Sequence, residues 1–484
     1  MRALLSVMNV LGYLLMVSSL TYLLPIICAL IYQDGTLFTF VISLIACLAV
    51  GSAITLATHK YRTELKARDG FILVTLSWVL ISAIATVPLM LHSHMSFTDA
   101  FFEMMSGLTT TGATVMVGLD TLAPSINLWR HAISWLGGMG IIVLAVAILP
   151  MLGVGGMQLF RAEVPGPIKD AKLTARIADT AAVLWVIYLV LTLACIIGLW
   201  LAGMSWFDAI CHAFVALSLS GFSTRDASVG AFDSPIIEAV LIFFMVLAAL
   251  NFATHFTVWR DRSLKAYWRD TEARGVFAVL FFSCIGCAAY LWFNDVYASF
   301  WTALRFVSFN LVSIATDCGF VNTDYALWPT FVPFWMLFLS SITASSGSTG
   351  GGIKMIRTLI LVRQSGRELT RLLHPAMAAP VTVGGMIIPN SVVVAILGFI
   401  FLYFMSIVAM TFLLIFGGLD FISALTAVIA CINNAGPGLG VVGPATNYGS
   451  LTDFETWVLS FTMLLGRLEV FSLLILFTPM FWRK

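Results

Sequence analysis

Four short segments hold the residues best placed to do chemistry. Aligned on one glycine, they read SFTDAFFEMMSGLTTTGATV at 96–115, SWFDAICHAFVALSLSGFST at 205–224, ALRFVSFNLVSIATDCGFVN at 303–322 and DFISALTAVIACINNAGPGL at 420–439. The shared glycines are Gly112, Gly221, Gly319 and Gly436, spaced 109, 98 and 117 residues apart. Thirteen residues before them stand Asp99, Asp208, Phe306 and Ser423, followed in three cases by alanine (Ala100, Ala209, Ala424). Each segment therefore reads as a helical run of roughly three to four turns, then a Ser/Thr/Asn-rich piece closing on glycine. Glycine admits backbone conformations that a side chain forbids, so carbonyls can be turned toward a common axis. A ring of such carbonyls replaces the hydration shell of a monovalent cation. The residues that would line it are Thr110, Thr111, Gly112 and Ala113; Ser220, Gly221 and Phe222; Cys318, Gly319 and Phe320; and Ala435, Gly436 and Pro437. A helix-ending turn explains any one glycine; four at near-equal spacing, each between long apolar runs, point to a pore.

A second group of residues belongs with that axis. Arg467 is expected near the middle of the last apolar span, where an ionisable side chain is costly and functional by default. It is expected to project into the pore below the filter as an electrostatic barrier. The plainer alternative is a pairing with Glu469 or with the end of a pore half-helix; the Glu469 pair is disfavoured, because residues two apart leave a helix on different sides. The stretch SSITASSGSTGGGIK at 340–354 interrupts what would otherwise be a span. Its Gly350, Gly351 and Gly352, followed by Lys354, are expected to form a flexible intramembrane gating loop; a close-packing seam of small residues is the plainer alternative. No Gly-Lys-Ser/Thr occurs in it, which sets aside a phosphate loop. Arg357 reads as an anchor at the cytosolic border. Asp317 either adds a coordinating charge or accepts backbone N–H groups behind its loop. Glu103 and His212 occupy equivalent places in two half-helices and read as packing or hydrogen-bonding residues. Asp120, Asp226 and Asp324 either gather cations at the outer mouth or are solvated loop carboxylates.

These segments need a membrane to position them. Of 484 residues 60% are apolar and 10% charged, too little charge to cover a soluble domain of this length. Ten apolar stretches approach or exceed the ~20 residues that cross a bilayer: 4–32, 37–58, 70–91, 128–152, 177–202, 235–258, 275–293, 330–353, 390–417 and 454–481. The first is too long for a signal peptide and has no small-residue cleavage pattern after it. An even number of crossings puts both termini on one side. With that side inside, 21 of the 25 Lys and Arg fall in inside segments (2, 60–68, 161–176, 260–274, 354–371 and 483–484), leaving Arg130, Arg225, Arg305 and Arg467. That asymmetry is the positive-inside signal. The eight cysteines are scattered, and Cys284-x-x-Cys287 sits mid-helix without a partner pair, so neither a disulfide framework nor a metal site is implied.

The expected fold is an all-α integral membrane protein: four tandem helix–pore half-helix–loop–helix repeats around a central pore, plus an N-terminal two-helix hairpin. The boundaries are 1–59 for the hairpin, then 60–158, 159–262, 263–370 (with the intramembrane loop 340–354) and 371–484 for the repeats. Half-helices ending at the axis aim their partly negative C-termini at it, which favours a cation.

The loop SGLTTTGATV resembles the filter of the TrkH/TrkG/KtrB family of bacterial potassium transporters. GGMGIIVLAVAILP at 137–150, EVPGPIKD at 163–170, SGFST at 220–224, GSTGGGIK at 347–354, NNAGPGLG at 433–440 and GRLEVF at 466–471 complete the resemblance. It covers almost the whole chain and is closest to the TrkH/TrkG branch, which has the extra hairpin. It implies potassium uptake through a channel-like pore, a homodimer in the bacterial inner membrane with both termini cytoplasmic, and gating by a TrkA-type cytosolic nucleotide-binding ring. No cofactor is implied; potassium is the substrate. Asp317 stands where the commoner family pattern has Thr or Ser, a TrkG-like departure that bears on potassium-over-sodium selectivity. A proton- or sodium-coupled secondary transporter is the rival, but it would show two inverted halves rather than four tandem units. An enzyme is not indicated: neither HExxH nor GxGD occurs.

Overall fold

Apolar runs broken by capping residues dictate a helical chain, and the computed structural model describes residues 2–61, 66–147, 177–375, 377 and 380–483. Among these the only strands are Thr382–Val383 and Met386–Ile387, an antiparallel pair turned by Gly384-Gly385. Six described helices are long and apolar enough to cross a bilayer: Leu4–Tyr32, Leu37–Tyr61, Arg68–His92, Ala181–Leu201, Thr271–Phe293 and Asn390–Gly417. Pro124–Ala147 adds a further 24-residue helix.

The remaining stretches are broken. Phe331–Ser340 stops as the sequence anticipates, and the chain resumes as helix only at Met355–Leu373. Two runs expected to be straight are sharply bent. Pro235–Ala249 and Phe252–Asp261 meet at 99°, and Asp453–Arg467 and Phe471–Phe477 meet at 111°. At the first bend Asn251 leaves the helical conformation and its side chain accepts the Ala253 N–H, starting a new helix. At the second, Glu469 and Val470 take φ of 54° and 46°, a left-handed pair that no helix accommodates. Arg467 therefore ends its helix rather than sitting in the middle of a span. The end of the run at 128–152, the basic stretch 161–176 and the motif at 163–170 lie outside the described residues.

Between the spans lie the half-helices Phe97–Leu108, Trp206–Ser218, Phe300–Ala315 and Phe421–Asn433. At 1.5 Å per residue they reach ~18–24 Å, short of the ~30 Å bilayer core. Their N-caps are Ser96, Ser205, Ser299 and Asp420. This explains the recurrent aspartates: Asp99 and Asp208 each donate their N–H to the cap serine, whose hydroxyl returns a bond to the carboxylate at 2.8 and 2.9 Å. Ser423 holds the same place after Asp420. Phe306 does not, because the third half-helix starts earlier, at Phe300.

The chain is thus four helix–half-helix–loop–helix repeats preceded by a hairpin. One apolar core joins repeats two and three; another joins repeats one and four to the hairpin. The hairpin closes tightly where Gly12 faces Gly51: a methyl group added at Gly12 would lie 2.8 Å from the Gly51 carbonyl oxygen. Asn9 locks this contact by donating to the Thr55 carbonyl and the Thr58 hydroxyl.

Candidate ion-conducting site

The four half-helices end alike. In each, the residue two before the shared glycine is left-handed: Thr110 (φ 54°), Leu219 (55°), Asp317 (67°) and Asn434 (59°). The next N–H then reaches back five residues, from Thr111 to Ser106, Ser220 to Val215, Cys318 to Ser313 and Ala435 to Ala430. That is a Schellman-type cap, completed before the glycine is reached. The shared glycines are therefore not needed to stop the helices. Their own φ values of 77–89° serve something else.

What they serve is contact with the next loop. A methyl group at Gly112 would lie 1.7 Å from the Ser220 carbonyl oxygen, at Gly221 2.5 Å from that of Cys318, at Gly319 2.5 Å from that of Ala435, and at Gly436 2.6 Å from that of Thr111. Loop one touches two, two touches three, three touches four, and four touches one. The ring closes on itself, and no side chain fits at any of its four corners. A cavity of about 80 Å³ opens onto it, bordered by Gly112, Gly221, Gly319 and Gly436 together with Arg225, Asp226 and Tyr448.

The residues after the glycines border the ring and pack against the protein around it, with Ala113, Phe222 and Pro437 also lining the cavity. Phe222 lies under the Arg130 guanidinium, 4.4 Å from ring centroid to Cζ, and Phe320 stacks on His212 at 5.6 Å. Ala113 is buried, and the Pro437 ring packs 3.1 Å from the methyl position at Gly319.

Each half-helix braces the outward leg of its own loop. Glu103 accepts from the Thr114 hydroxyl and the Val115 N–H, both at 3.0 Å. His212 meets the Ser223 hydroxyl at 2.9 Å, Asn310 meets Asn322 at 2.5 Å, and Thr426 accepts the Leu439 N–H at 2.9 Å. The first three stand nine residues before their glycines, so Asn310 shares the place of Glu103 and His212 in the aligned segments although only those two are singled out from sequence. Glu103 also forms a fully buried ion pair with Arg130 at 2.7 Å, and Arg130 donates on to Asn127, Thr114 and the Ser223 carbonyl. One cation thus clamps loops one and two. Two of the outer carboxylates, Asp120 and Asp226, tie loops together in the same way, and Asp324 acts locally. Asp120 accepts from the Asp226 N–H and pairs with Arg225, Asp226 accepts the Leu119 N–H, and Asp324 caps a short turn at Ala326.

Beneath the ring lies the broken stretch of repeat three. Methyl groups at Gly350, Gly351 and Gly352 would meet the Thr316 carbonyl oxygen at 3.2 Å, that of Asn433 at 1.9 Å and that of Ser340 at 2.7 Å. The glycines let this loop press against the ends of half-helices three and four. Asp317 Oδ2 accepts the Gly351 N–H at 2.9 Å, the backbone role foreseen as one of its two options. Lys354 Nζ donates to the Gly350 carbonyl oxygen.

The loop's other backbone groups are met by the two bent spans. Ser345 N–H donates to the Ala249 carbonyl at 2.9 Å, and Phe252 N–H to that of Gly347 at 3.1 Å. Arg467 Nη1 donates to the Thr349 carbonyl at 2.9 Å and Nη2 to that of Gly137 at 3.1 Å. Arg467 is thus fully buried against the loop, with carbonyls as its partners, and Glu469 pairs instead with Arg357 at 2.7 Å. Glu272, unremarked in the sequence, accepts both the Ser346 and the Ile356 N–H and so holds the loop near both its ends.

Three comparisons bear on this architecture. The model of the family described as "TrkH: Cation transport protein" matches residues 36–484. The chain is 45% identical over 481 residues to the Trk system potassium uptake protein TrkH of Escherichia coli K12, with 99% of each covered, and 39% identical over 480 residues to TrkG of that organism, covering 98% of this chain and 97% of TrkG. The crystal structure of the potassium transporter TrkH from Vibrio parahaemolyticus superposes with a TM-score of 0.91 at 44% identity, covering 99% of this chain and 100% of that one. Matched in sequence and in fold over essentially its whole length, the chain belongs to the TrkH family of cation transport proteins.

Proposed function

We propose that this chain takes up potassium across the bacterial inner membrane through a channel-like pore, with the glycine ring as its selectivity filter. The observation that carries the reading is the closed circuit of four glycine-to-carbonyl contacts, which joins four loops about one axis. Non-helical backbone survives in a bilayer only where protein buries it or water lines it. Thr110, Thr111, Gly112, Ser220, Gly221, Cys318, Gly319, Ala435 and Gly436 supply the carbonyls and hydroxyls that replace the ion's water. The loop carrying Gly350, Gly351, Gly352 and Lys354 is the gate, and Arg467 is the electrostatic barrier beside it. A cytosolic TrkA-type nucleotide-binding ring moves the gate, and the working unit is a homodimer with both termini of each chain in the cytoplasm. The names of the relatives, potassium uptake proteins of a Trk system, agree with this substrate.

The test is cation flux into liposomes holding only the purified chain, comparing potassium, rubidium, sodium and lithium for wild type and Arg467→Ala. Potassium and rubidium are expected to pass, and faster in the variant. Flux that needs a proton or sodium gradient would replace this reading with a coupled secondary transporter.

A further inference from the structure

Two buried oxygens at the inner face of the ring have no hydrogen-bond partner among the described residues. They are Asp317 Oδ1 and Asn434 Oδ1, on side chains 0% and 1% exposed. Both belong to the left-handed position two residues before a ring glycine, so they stand at one level of the repeat. The same adjacent pair of glycines separates them: a methyl group at Gly350 would lie 3.4 Å from Asp317 Oδ2, and one at Gly351 3.3 Å from Asn434 Oδ1. Resting on the pore reading above, we propose that Asp317 and Asn434 form a monovalent-cation site on the cytosolic face of the ring, covered by Gly350-Gly351 and filled when that pair moves aside.

The chemistry of the donors favours this occupant. When ionised, as a bound cation would favour, a carboxylate accepts and does not donate, as an amide oxygen does, which suits a cation and not an anion. The half-helices that carry them end here, adding their partial negative charge. A buried carboxylate oxygen without a partner costs free energy that a bound cation would recover. In the loop position seen here, the loop itself covers the carboxylate. The Gly351 N–H occupies Oδ2, and the Lys354 ammonium is held on the same loop by donating to the Gly350 carbonyl. Withdrawal of the loop would remove the N–H and the ammonium together and free Asp317 for an ion leaving the ring. Asn434 is already oriented for it: its Nδ2 is held by the Thr111 hydroxyl and the Met463 carbonyl, which leaves Oδ1 on the opposite side of the amide.

Thallous ion, a potassium substitute visible by anomalous scattering, tests this in crystals of the full chain. Wild type, Lys354→Gln and the double variant Asp317→Asn/Lys354→Gln are soaked alike. Lys354→Gln removes the bond that helps seat the pair at the Gly350 carbonyl, so it is expected to show a peak beside Asp317 at least about threefold stronger than wild type, lost in the double variant, with the peaks at the glycine ring unchanged in all three. Ring peaks without any peak beside Asp317 in Lys354→Gln would overturn the site and leave the pore reading standing. A peak that survives Asp317→Asn would overturn it too. Thallous ion absent from the ring in every variant would remove the pore reading and this site with it. Rubidium flux gives a second readout: Asp317→Asn should raise the half-saturating concentration about tenfold through loss of the nearby charge, and Asp317→Glu should restore most of it. An unchanged constant in a folded Asp317→Asn protein would refute the proposal.

Discussion

Replacing Gly351 by alanine is expected to open the pore without changing what passes through it. The added methyl would lie 1.9 Å from the Asn433 carbonyl oxygen. Ordinary carbon–oxygen contact is about 3.3 Å, so the loop must retreat by roughly 1.4 Å. The carbonyl cannot yield instead. Asn433 is fixed through its side chain by the Ser340 and Ser341 hydroxyls at 2.8 and 3.0 Å and by the Tyr403 hydroxyl at 2.5 Å. Overpacking of this kind costs about 1–3 kcal/mol. Applied to the seated position of the loop alone, that shifts the seated-to-withdrawn ratio by a factor of about 5 to 150. The assay is rubidium uptake into liposomes by the purified chain without its regulator, with the rubidium-to-sodium ratio measured in parallel. Gly366→Ala is the control, since nothing lies within 4 Å of a methyl group there. The rate should rise in Gly351→Ala at a constant ratio and stay put in Gly366→Ala. A folded Gly351→Ala protein with wild-type flux, or one whose ratio changes while its rate does not, would refute the gate.

Three further outcomes follow from other contacts. Glu103→Gln should lower the thermal stability of the detergent-solubilised protein by about 3–5 kcal/mol, because it leaves the buried Arg130 charge unpaired; adding Arg130→Met should recover part of that loss in a double-mutant cycle. Glu272→Gln should raise basal rubidium flux, though less than Gly351→Ala, since two charge-assisted bonds to the Ser346 and Ile356 N–H groups become neutral ones. Asp34, in the loop between the two hairpin helices, supplies a pH dependence. Partial burial raises its pKa, but hydrogen bonds from the Ser125 hydroxyl and N–H and from Thr36 outweigh that and hold it below the ordinary carboxylate value. A depressed folded-state pKa gives stability that is present above the unfolded value of about 4 and lost as pH falls through the folded one. Wild type should therefore lose thermal stability below about pH 4 more steeply than Asp34→Asn; identical acid limbs would remove this role.

Much of this design is legible from local pattern. Gly112, Gly221, Gly319 and Gly436 announce themselves by repetition, and the break at 340–354 by its run of glycine and serine in an apolar context. The ten apolar stretches are legible too, because a bilayer sets their length. The bends at Asn251 and at Glu469-Val470 are not, since single residues of those types occur in ordinary helices and hydropathy averages over them. Partners far apart in the chain are hidden for another reason: Glu272 reaches Ser346 and Ile356 across 74 and 84 residues, and Arg467 reaches Gly137 across 330. Arg467 and Asp317 could be singled out as costly charges, but which groups meet them depends on how the breaks stack. Asp120 and Asp226 show the same limit. Their position leaves a cation-gathering mouth and solvated loop carboxylates equally open, and the contacts by which they tie loop one to loop two could not be read from it.

The two unforeseen bends also explain how the intramembrane loop can exist. Non-helical backbone at that depth needs partners for every N–H and C=O, and a straight neighbouring helix has none to spare. A helix broken at the same level does. The carbonyls of Ala248 and Ala249 and the N–H of Phe252 are released by the bend at Asn251, and they bond Thr349, Ser345 and Gly347 of the loop. At the other bend Arg467, ending its helix, covers the Thr349 carbonyl, and Glu469 holds Arg357 in the first turn of the helix that leaves the loop. The three breaks therefore share one hydrogen-bond layer, and the loop cannot leave it without exposing groups on both neighbours. On the gating reading, a regulator that displaces Met355–Leu373 must break Arg357–Glu469 as well as the Glu272–Ile356 bond. Glu469→Gln should then lower the force the regulator has to supply, seen as a larger open fraction at the same nucleotide concentration. An unchanged nucleotide response in a folded Glu469→Gln protein would mean that the loop moves independently of the last span.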